Sequence, residues 1–361
     1  MSDVRSIVAA TTKLRASGTP FVCATVVRVR GSSYRRPGAR LIATSERRIA
    51  GCVSGGCLER DLLRTSWWRT QRGPVVVRYD STDEIGPQAS LGCGGEVDVL
   101  LERAGEQAND PMTVVERALA SEDVSGLATV YESSARDVPI GTRFCLTAQG
   151  IASSLPVAGS ISEPLANACE RVLASRRTES IRGEGEGGSF EALVESIVPP
   201  PHLFVFGAGE DAVPVVLSAS RLGWNVTVWE SSPRTESRAR LAKTDASYAA
   251  GEIAAVRAEI DACAQPLAIV MSHDIVHDRV AVSMLLDSRA QYIGVLGPRH
   301  RTSRLASVEA LADPRVHAPV GLDLGAETPE EIALSVTAEM LAVLRRGTGA
   351  SLRTRPALHV R

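Results

Sequence analysis

A surplus of charge is missing from this 361-residue sequence: 40 lysines and arginines stand against 42 aspartates and glutamates, for a formal net charge of −2. That balance excludes a broad electrostatic pull towards nucleic acid or anionic lipid and favours a small-molecule or protein partner. No apolar run reaches bilayer-spanning length, so membrane insertion is not expected. Met1 to Arg15 mixes charges with short apolar stretches and lacks a signal-peptide pattern, which leads to an expected cytoplasmic setting with reduced thiols. The seven cysteines, Cys23, Cys52, Cys57, Cys93, Cys145, Cys169 and Cys263, are odd in number and show no zinc-ribbon spacing. They do not read as a disulfide framework. No internal repeat is visible either.

What is present is enough apolar material, 44% of residues, for a sizeable core and two or three domains. The expected class is α/β, with a C-terminal Rossmann-like domain and an N-terminal α+β domain. In the N-terminal part the pattern predicts a helix to about Ser17 and strands at Phe21 to Val29, Arg40 to Thr44, Val75 to Tyr79 and Glu96 to Glu102. A helix is expected from Cys57 to Trp67. Beyond it, Val114 to Ala120 reads as helix, Leu127 to Tyr131 and Arg143 to Thr147 as strands, and Gly183 to Gly188 as an exposed turn or hairpin tip. Pro199-Pro200-Pro201 is a stiff run before a change of pattern. The expected domains are therefore 1–198 and 199–347, with a tail over 348–361.

The C-terminal part carries one complete βαβ unit: a strand at His202 to Phe206, a helix at Ala212 to Leu222, and a strand at Asn225 to Trp229. Further strands are expected at Leu267 to Met271 and Tyr292 to Leu296. Thr328-Pro329-Glu330-Glu331 has the N-cap, first-turn proline and capping-box residue of a strong helix.

Gly207-Ala208-Gly209-Glu210-Asp211-Ala212 is a G-x-G-x-x-A pattern lying directly after a strand and opening a helix, the context that gives it meaning. Gly207 permits the tight turn, Gly209 lets a pyrophosphate approach the backbone, and Ala212 allows close helix–sheet packing. Glu230, at the end of the next strand, is placed to meet ribose hydroxyls, which favours NAD; Arg234 nearby would suit a 2′-phosphate instead. Glu210 and Asp211 compete with an anionic ligand for the positive end of the helix. The alternative is a Rossmann-like scaffold without a cofactor. Ser272-His273-Asp274 follows a strand at the edge where such sheets bind ligands, so His273 is a candidate proton donor or acceptor, or simply a histidine bonded to Asp274 or Asp278.

Gly51-Cys52-Val53-Ser54-Gly55-Gly56-Cys57-Leu58-Glu59 sets two thiols around a flexible turn, and Gly92-Cys93-Gly94-Gly95 sets a third between glycines. A thiol at a helix N-terminus has a lowered pKa, so Cys57 is suited to sulfur exchange or soft-metal ligation. Glu59 is either a ligand-orienting base or a first-turn carboxylate that stabilises the helix. Arg35, Arg36 and Arg40 are candidates for gripping a phosphate, or form a solvated basic hairpin. Cys23, Cys145, Cys169 and Cys263 read as small buried hydrophobes.

In combination these segments resemble the XdhC/CoxI family, whose members assist xanthine dehydrogenase and related molybdenum hydroxylases. The resemblance rests on Gly31 to Leu41, Ser54 to Glu59, Cys93-Gly94-Gly95, the Gly207 turn, Tyr292 to Gly297, and Pro319 to Asp323 through Glu339. It covers most of the chain and is weakest from Arg103 to Glu195. Leu41 stands where methionine is expected, and Glu230 where aspartate is more usual. The resemblance implies binding of molybdenum cofactor (molybdopterin), protection during sulfuration, and delivery into an apo-hydroxylase by a dimeric protein working with a sulfur donor. Ser54, Gly55, Gly56, Cys57, Glu59, Cys93, Gly94 and Gly95 are the residues it carries to the cofactor region, with Cys57 and Cys93 closest to the metal. Two other classes compete: an NAD(P)-dependent oxidoreductase acting through His273, and an assembly scaffold with both sites vestigial.

Overall fold

Phe21 to Val27 is apolar at every position except Thr25, the pattern of a strand buried on both faces. In the computed structural model, which describes residues 2–31, 33–54, 56–80, 95–104, 112–120, 123–148, 150–153, 159–305 and 307–354, this segment is the central strand of the first sheet. The chain divides into two units, Asp3–Pro199 and Pro200–Val360.

The first unit opens with α1 (Ser2–Ala16), then β1 (Phe21–Arg30), β2 (Arg40–Ala43), β3 (Arg48–Gly51), α2 (Cys57–Arg69), β4 (Val75–Tyr79) and β5 (Glu96–Ala104). It continues with α3 (Thr113–Ala120), β6 (Ser125–Ser133), β7 (Arg143–Thr147), β8 (Gly150–Ser153), α4 (Gly159–Ser175), β9 (Glu179–Gly185) and β10 (Gly188–Ile197). The sheets have strand orders β3-β2-β1-β5-β4 and β8-β7-β6-β10-β9. These are the same order twice, each with its helix between third and fourth strands. The absence of an internal repeat, expected from the sequence, is therefore corrected: the unit is built of two copies of one motif.

The copies stack as a four-layer sandwich. Val22, Ala24 and Val26 of β1 pack with Leu58 and Leu62 of α2, while the alternate residues Cys23 and Val27 face the other sheet, where Leu127, Tyr131, Cys145 and Leu193 meet them. The outer face of the second sheet, with Ala128, Val130 and Phe144, is covered by Ile161, Leu165, Cys169 and Val172 of α4. Each such leucine or phenylalanine removed from water contributes about 2 kcal/mol.

Reciprocal ion pairs join the copies. Arg40, at the start of β2, pairs with Glu195 of β10; Arg143, at the start of β7, pairs with Glu102 of β5, and all four side chains are buried. Each arginine also donates to a glycine carbonyl two residues before it, Gly38 at 2.9 Å and Gly141 at 3.0 Å. Those glycines hold φ of 92° and 90°. A Cβ on either would strike the opposing carboxylate, Glu195 or Glu102, so both turns need glycine.

The second unit contains β11 (His202–Phe206), α5 (Ala212–Arg221), β12 (Asn225–Glu230), α6 (Thr235–Leu241), β13 (Ser247–Ala250), α7 (Ile253–Ala262) and β14 (Pro266–Val270). After them come α8 (Ile275–Leu286), β15 (Tyr292–Val295), α9 (Arg299–Leu305), α10 (Val308–Leu311), β16 (Val316–His317) and α11 (Pro329–Arg345). All six strands are parallel, in the order β13-β12-β11-β14-β15-β16. That is the doubly wound Rossmann order, with its switch point between β11 and β14. One face of the sheet packs on α5 and α11, the other on α7 and α8. The capping box closes as the sequence requires: Glu331 N–H donates to the Thr328 hydroxyl at 3.3 Å and Thr328 N–H to the Glu331 carboxylate at 3.1 Å. No described helix is long and apolar enough to cross a membrane.

Candidate functional site

Strand direction decides where the glycine loops of the first unit gather. β2 runs antiparallel to both β1 and β3, and β5 antiparallel to both β1 and β4, so β1, β3 and β4 point the same way. The chain leaving β1 (residues 31 and 33–39), the chain leaving β3 (residues 52–54 and 56) and Gly95 at the entry to β5 therefore share one end of the sheet. α2 is the crossover between β3 and β4, and its N-terminus starts at that end. A bond from the Tyr79 hydroxyl, at the end of β4, to Asp61 of α2 at 2.9 Å fixes this placement. Burial, and then the Asp61 carboxylate, push the Tyr79 pKa up, so it stays a donor.

Glu59 organises the loop from within. One carboxylate oxygen accepts the N–H of Val53 at 3.1 Å and of Ser54 at 2.7 Å; the other accepts the Ser54 hydroxyl and the Gly56 N–H, the latter at 2.9 Å. The Ser54 oxygen in turn accepts Leu58 N–H at 3.2 Å. Burial alone would raise the Glu59 pKa, but the Ser54 hydroxyl and the backbone amides outweigh it and hold the carboxyl below its ordinary value. Of the two sequence-level readings of Glu59, its contacts are those of the helix-stabilising carboxylate. Gly56, at φ 118°, has no atom of the described residues within 4 Å of where a Cβ would project. Cys52 is half-buried on this loop.

Arg40 is corrected. It is not free on the β1–β2 loop, because its guanidinium is buried against Glu195 and the Gly38 carbonyl. Arg36 is exposed on that loop and Arg35 half-buried. Gly55, Cys93 and Gly94 lie outside the described residues, and for Cys57 only its backbone position at the start of α2 is described. Among the described residues no group of three or more His, Cys, Asp or Glu side chains is arranged to hold a metal ion. Burial pushes the thiols of Cys23 and Cys145 up to about 11 and that of Cys169 to about 12, with the Glu102 and Cys145 charges adding to the first and last. Cys263 departs from this group: it is half-buried, with His202 beside it.

In the second unit the strands' C-terminal ends assemble a separate crevice. Gly207 has φ 119°, and a Cβ there would lie 2.6 Å from Cα of Ser272, so only glycine lets the first turn pack against the loop after β14. Ala212 is fully buried at the start of α5. Beside the turn, Nε2 of His273 lies 3.0 Å from Oδ2 of Asp211, while Oδ1 of Asp211 is buried without a hydrogen-bond partner among the described residues. That oxygen sits 2.5 Å from where a Cβ on Gly209 would be. Asp211 thus lays its carboxylate against the face of Gly209 that a diphosphate would approach. Arg240 reaches back from α6, donating to Ala208 O at 2.5 Å and to Glu210 at 2.7 Å.

Glu230 ends β12 and accepts the Tyr248 hydroxyl at 2.8 Å, with Nε of Arg234 at 3.9 Å. His273 holds φ 65°, a left-handed conformation uncommon for a side chain with a Cβ. Its loop is pinned by Asp278, which accepts the Ser272 hydroxyl at 2.5 Å and Arg301 at 2.6 Å. Arg301 also bonds Leu296 O at 2.7 Å, tying the loops after β14 and β15 together. The structure brings Gly207, Gly209, Glu230 and His273 to one sheet edge. Sequence reasoning flagged Asp211 as a competing charge but missed Arg240, Tyr248 and the Asp278–Arg301 pair, which no local motif announces.

Comparison with known proteins gives two family matches: the XdhC and CoxI family profile over residues 14–80, and the XdhC Rossmann domain profile over residues 203–340. The chain is 30% identical over 328 residues to a probable xanthine dehydrogenase subunit from Bacillus subtilis, covering 90% of this chain and 93% of that protein. It is 23% identical over 350 residues to the molybdenum cofactor insertion chaperone PaoD of Escherichia coli, covering 94% and 89%. A crystal structure described as a xanthine dehydrogenase from Bacillus halodurans superposes with a TM-score of 0.70 at 25% identity, over 99% of this chain and 98% of that one.

Proposed function

Because this chain belongs to the XdhC and CoxI family, we propose that it is an accessory protein of a xanthine-dehydrogenase-type molybdenum hydroxylase, which holds molybdenum cofactor as cargo and assists its sulfuration and insertion. The observation that carries this reading is the gathering of residues 31 and 33–39, residues 52–54 and 56, and Gly95 at one end of the first sheet. Glycine-rich backbone there suits close approach to a flat pterin. Of Arg35, Arg36 and Arg40, the three arginines considered for gripping a phosphate, Arg36 is exposed on the same set of loops and keeps that role, whereas Arg40 does not. Cys57 and Cys93 are the thiols we assign to the metal or its sulfido ligand, and Glu59 keeps the loop around Ser54 and Gly56 in shape.

The working form we infer is a cytoplasmic homodimer that meets both its client and a sulfur donor. The deciding measurement is the molybdenum and pterin content of protein purified from a host that makes the cofactor, for wild type, Cys57→Ala and Cys93→Ala. Cofactor retained by wild type and lost from the variants supports a thiol-lined carrier site. Cofactor absent from every sample sinks it.

A second reading, an NAD(P)-dependent oxidoreductase, draws on the Gly207 turn, on Glu230 at the end of β12, and on His273 as acid or base. The Asp211 carboxylate against Gly209 opposes tight diphosphate binding, so the accessory reading stands first. Turnover of reduced nicotinamide by the protein alone would reverse that order.

A further inference from the structure

Cys263 closes α7, and its sulfur lies 3.6 Å from Nδ1 of His202, the first residue of β11. The opposite ring nitrogen, Nε2, is 2.8 Å from the hydroxyl of Thr227, which is buried on β12. The imidazole plane is set by stacking on Phe204, with ring centroids 4.3 Å apart and planes at 15°. A backbone bond from His202 N–H to Gln265 O, 3.0 Å, fixes the spacing between the two segments. Thiol, imidazole and hydroxyl thus form a relay at the N-terminal edge of the parallel sheet, the edge opposite the glycine turn. Both Cys263 and His202 are partly solvent-accessible.

A cysteine beside an imidazole whose far nitrogen is held by an oxygen has a proton acceptor within reach of its thiol. Nothing in the cofactor reading uses it. We propose that Cys263 is an activated nucleophilic thiol whose substrate class is a small-molecule disulfide, with His202 as its proton partner and Thr227 as a positioning residue. The Cys263 proton passes to Nδ1 of His202, and the thiolate attacks one sulfur of the disulfide. The new Sγ–S bond forms as the old S–S bond breaks. The departing thiolate takes the proton back from His202 and leaves as a thiol, so Cys263 is oxidised to a mixed disulfide and one sulfur of the substrate is reduced. Asp261, two residues before Cys263, is engaged by Arg257 at 3.5 Å and by the backbone N–H of Arg289 at 2.7 Å. His202 is a titratable group whose contact with the sulfur is described, at 3.6 Å.

The test is the rate at which iodoacetamide alkylates Cys263 in the reduced full-length protein, read peptide by peptide by mass spectrometry from about pH 5.5 to 9.5, around the ordinary thiol value. The expected midpoint is at least one unit below the ordinary thiol value of about 8.5. His202→Asn is expected to slow alkylation at neutral pH about tenfold and to move the midpoint up; Thr227→Val is expected to give a smaller shift in the same direction. Glutathione disulfide should then add one glutathionyl group at Cys263, removable by reductant. A wild-type midpoint at or above the ordinary value overturns the proposal without need of any variant. So does an unchanged profile in a folded His202→Asn protein, and failure of glutathione disulfide to modify Cys263 overturns the assigned substrate class.

Discussion

The guanidinium of Arg40 is sealed inside the first unit against the carboxylate of Glu195, 155 residues further along the chain. Such a pair is a weak source of net stability when intact but costly to break, because removal of one partner strands a charge out of water. Burial opposes the Arg40 charge, but Glu195 outweighs it and keeps the arginine pKa above its ordinary value. Glu195→Ala is therefore expected to destabilise the protein by about 3–5 kcal/mol, whereas Arg40→Met with Glu195→Leu recovers most of the loss. Guanidinium unfolding midpoints decide it; equal losses in the single and double variants would contradict the account.

The Glu59 carboxyl is held below its ordinary pKa in the folded protein. Its contribution is consequently complete above the unfolded value, about 4.3, and is lost as pH falls through the lower folded value. Glu59→Gln should cost about 1–3 kcal/mol at neutral pH, and its stability should converge on wild type in acid. A gap that stays constant from about pH 7 to 3 would contradict the assignment.

Asp211→Asn removes a negative charge beside the turn while keeping the side chain's size. The expected result is tighter NAD binding, by roughly three- to tenfold, or about 1 kcal/mol. Calorimetric titration reads it. Unchanged or weaker binding by the variant would show that the carboxylate does not oppose the diphosphate, and absence of binding by both proteins would remove the nucleotide reading altogether.

Gly207→Ala combines a positive φ with a Cβ pressed against the backbone of Ser272. A loss of at least about 2 kcal/mol is expected. Differential scanning calorimetry should show a lowered transition, and an unaltered thermogram would mean that the turn can open without cost.

The Rossmann-like half was legible because its signals are local. A strand, a G-x-G-x-x-A turn and a helix sit within about thirty residues, and the Thr328 capping box lies within four positions. The short strands β3, β13 and β16 were not legible: unlike β2 and β15, which are four residues long but buried throughout, they hold no fully buried residue to give an apolar pattern. α4 was hidden by Pro164 inside it and by small residues spread along its length. The duplication stayed hidden for another reason. Arg36-Pro37-Gly38-Ala39-Arg40 and Pro139-Ile140-Gly141-Thr142-Arg143 are equivalent turns that share only glycine and arginine. What they hold in common is a backbone course and a distant glutamate, and neither is visible in a window of residues. The same limit concealed the buried state of Arg40, whose partner is separated from it by most of the unit.

The crossed pairing of Arg40 with Glu195 and Arg143 with Glu102 has the form of an isologous interface, in which each of two equal surfaces gives what the other receives. Here both surfaces belong to one polypeptide. Neither copy can be discarded in the course of descent without baring an arginine and a glutamate in the survivor. A chain ended between β5 and α3 is expected to keep Arg40 and Glu102 without their partners, two charges stranded on what had been a shared face.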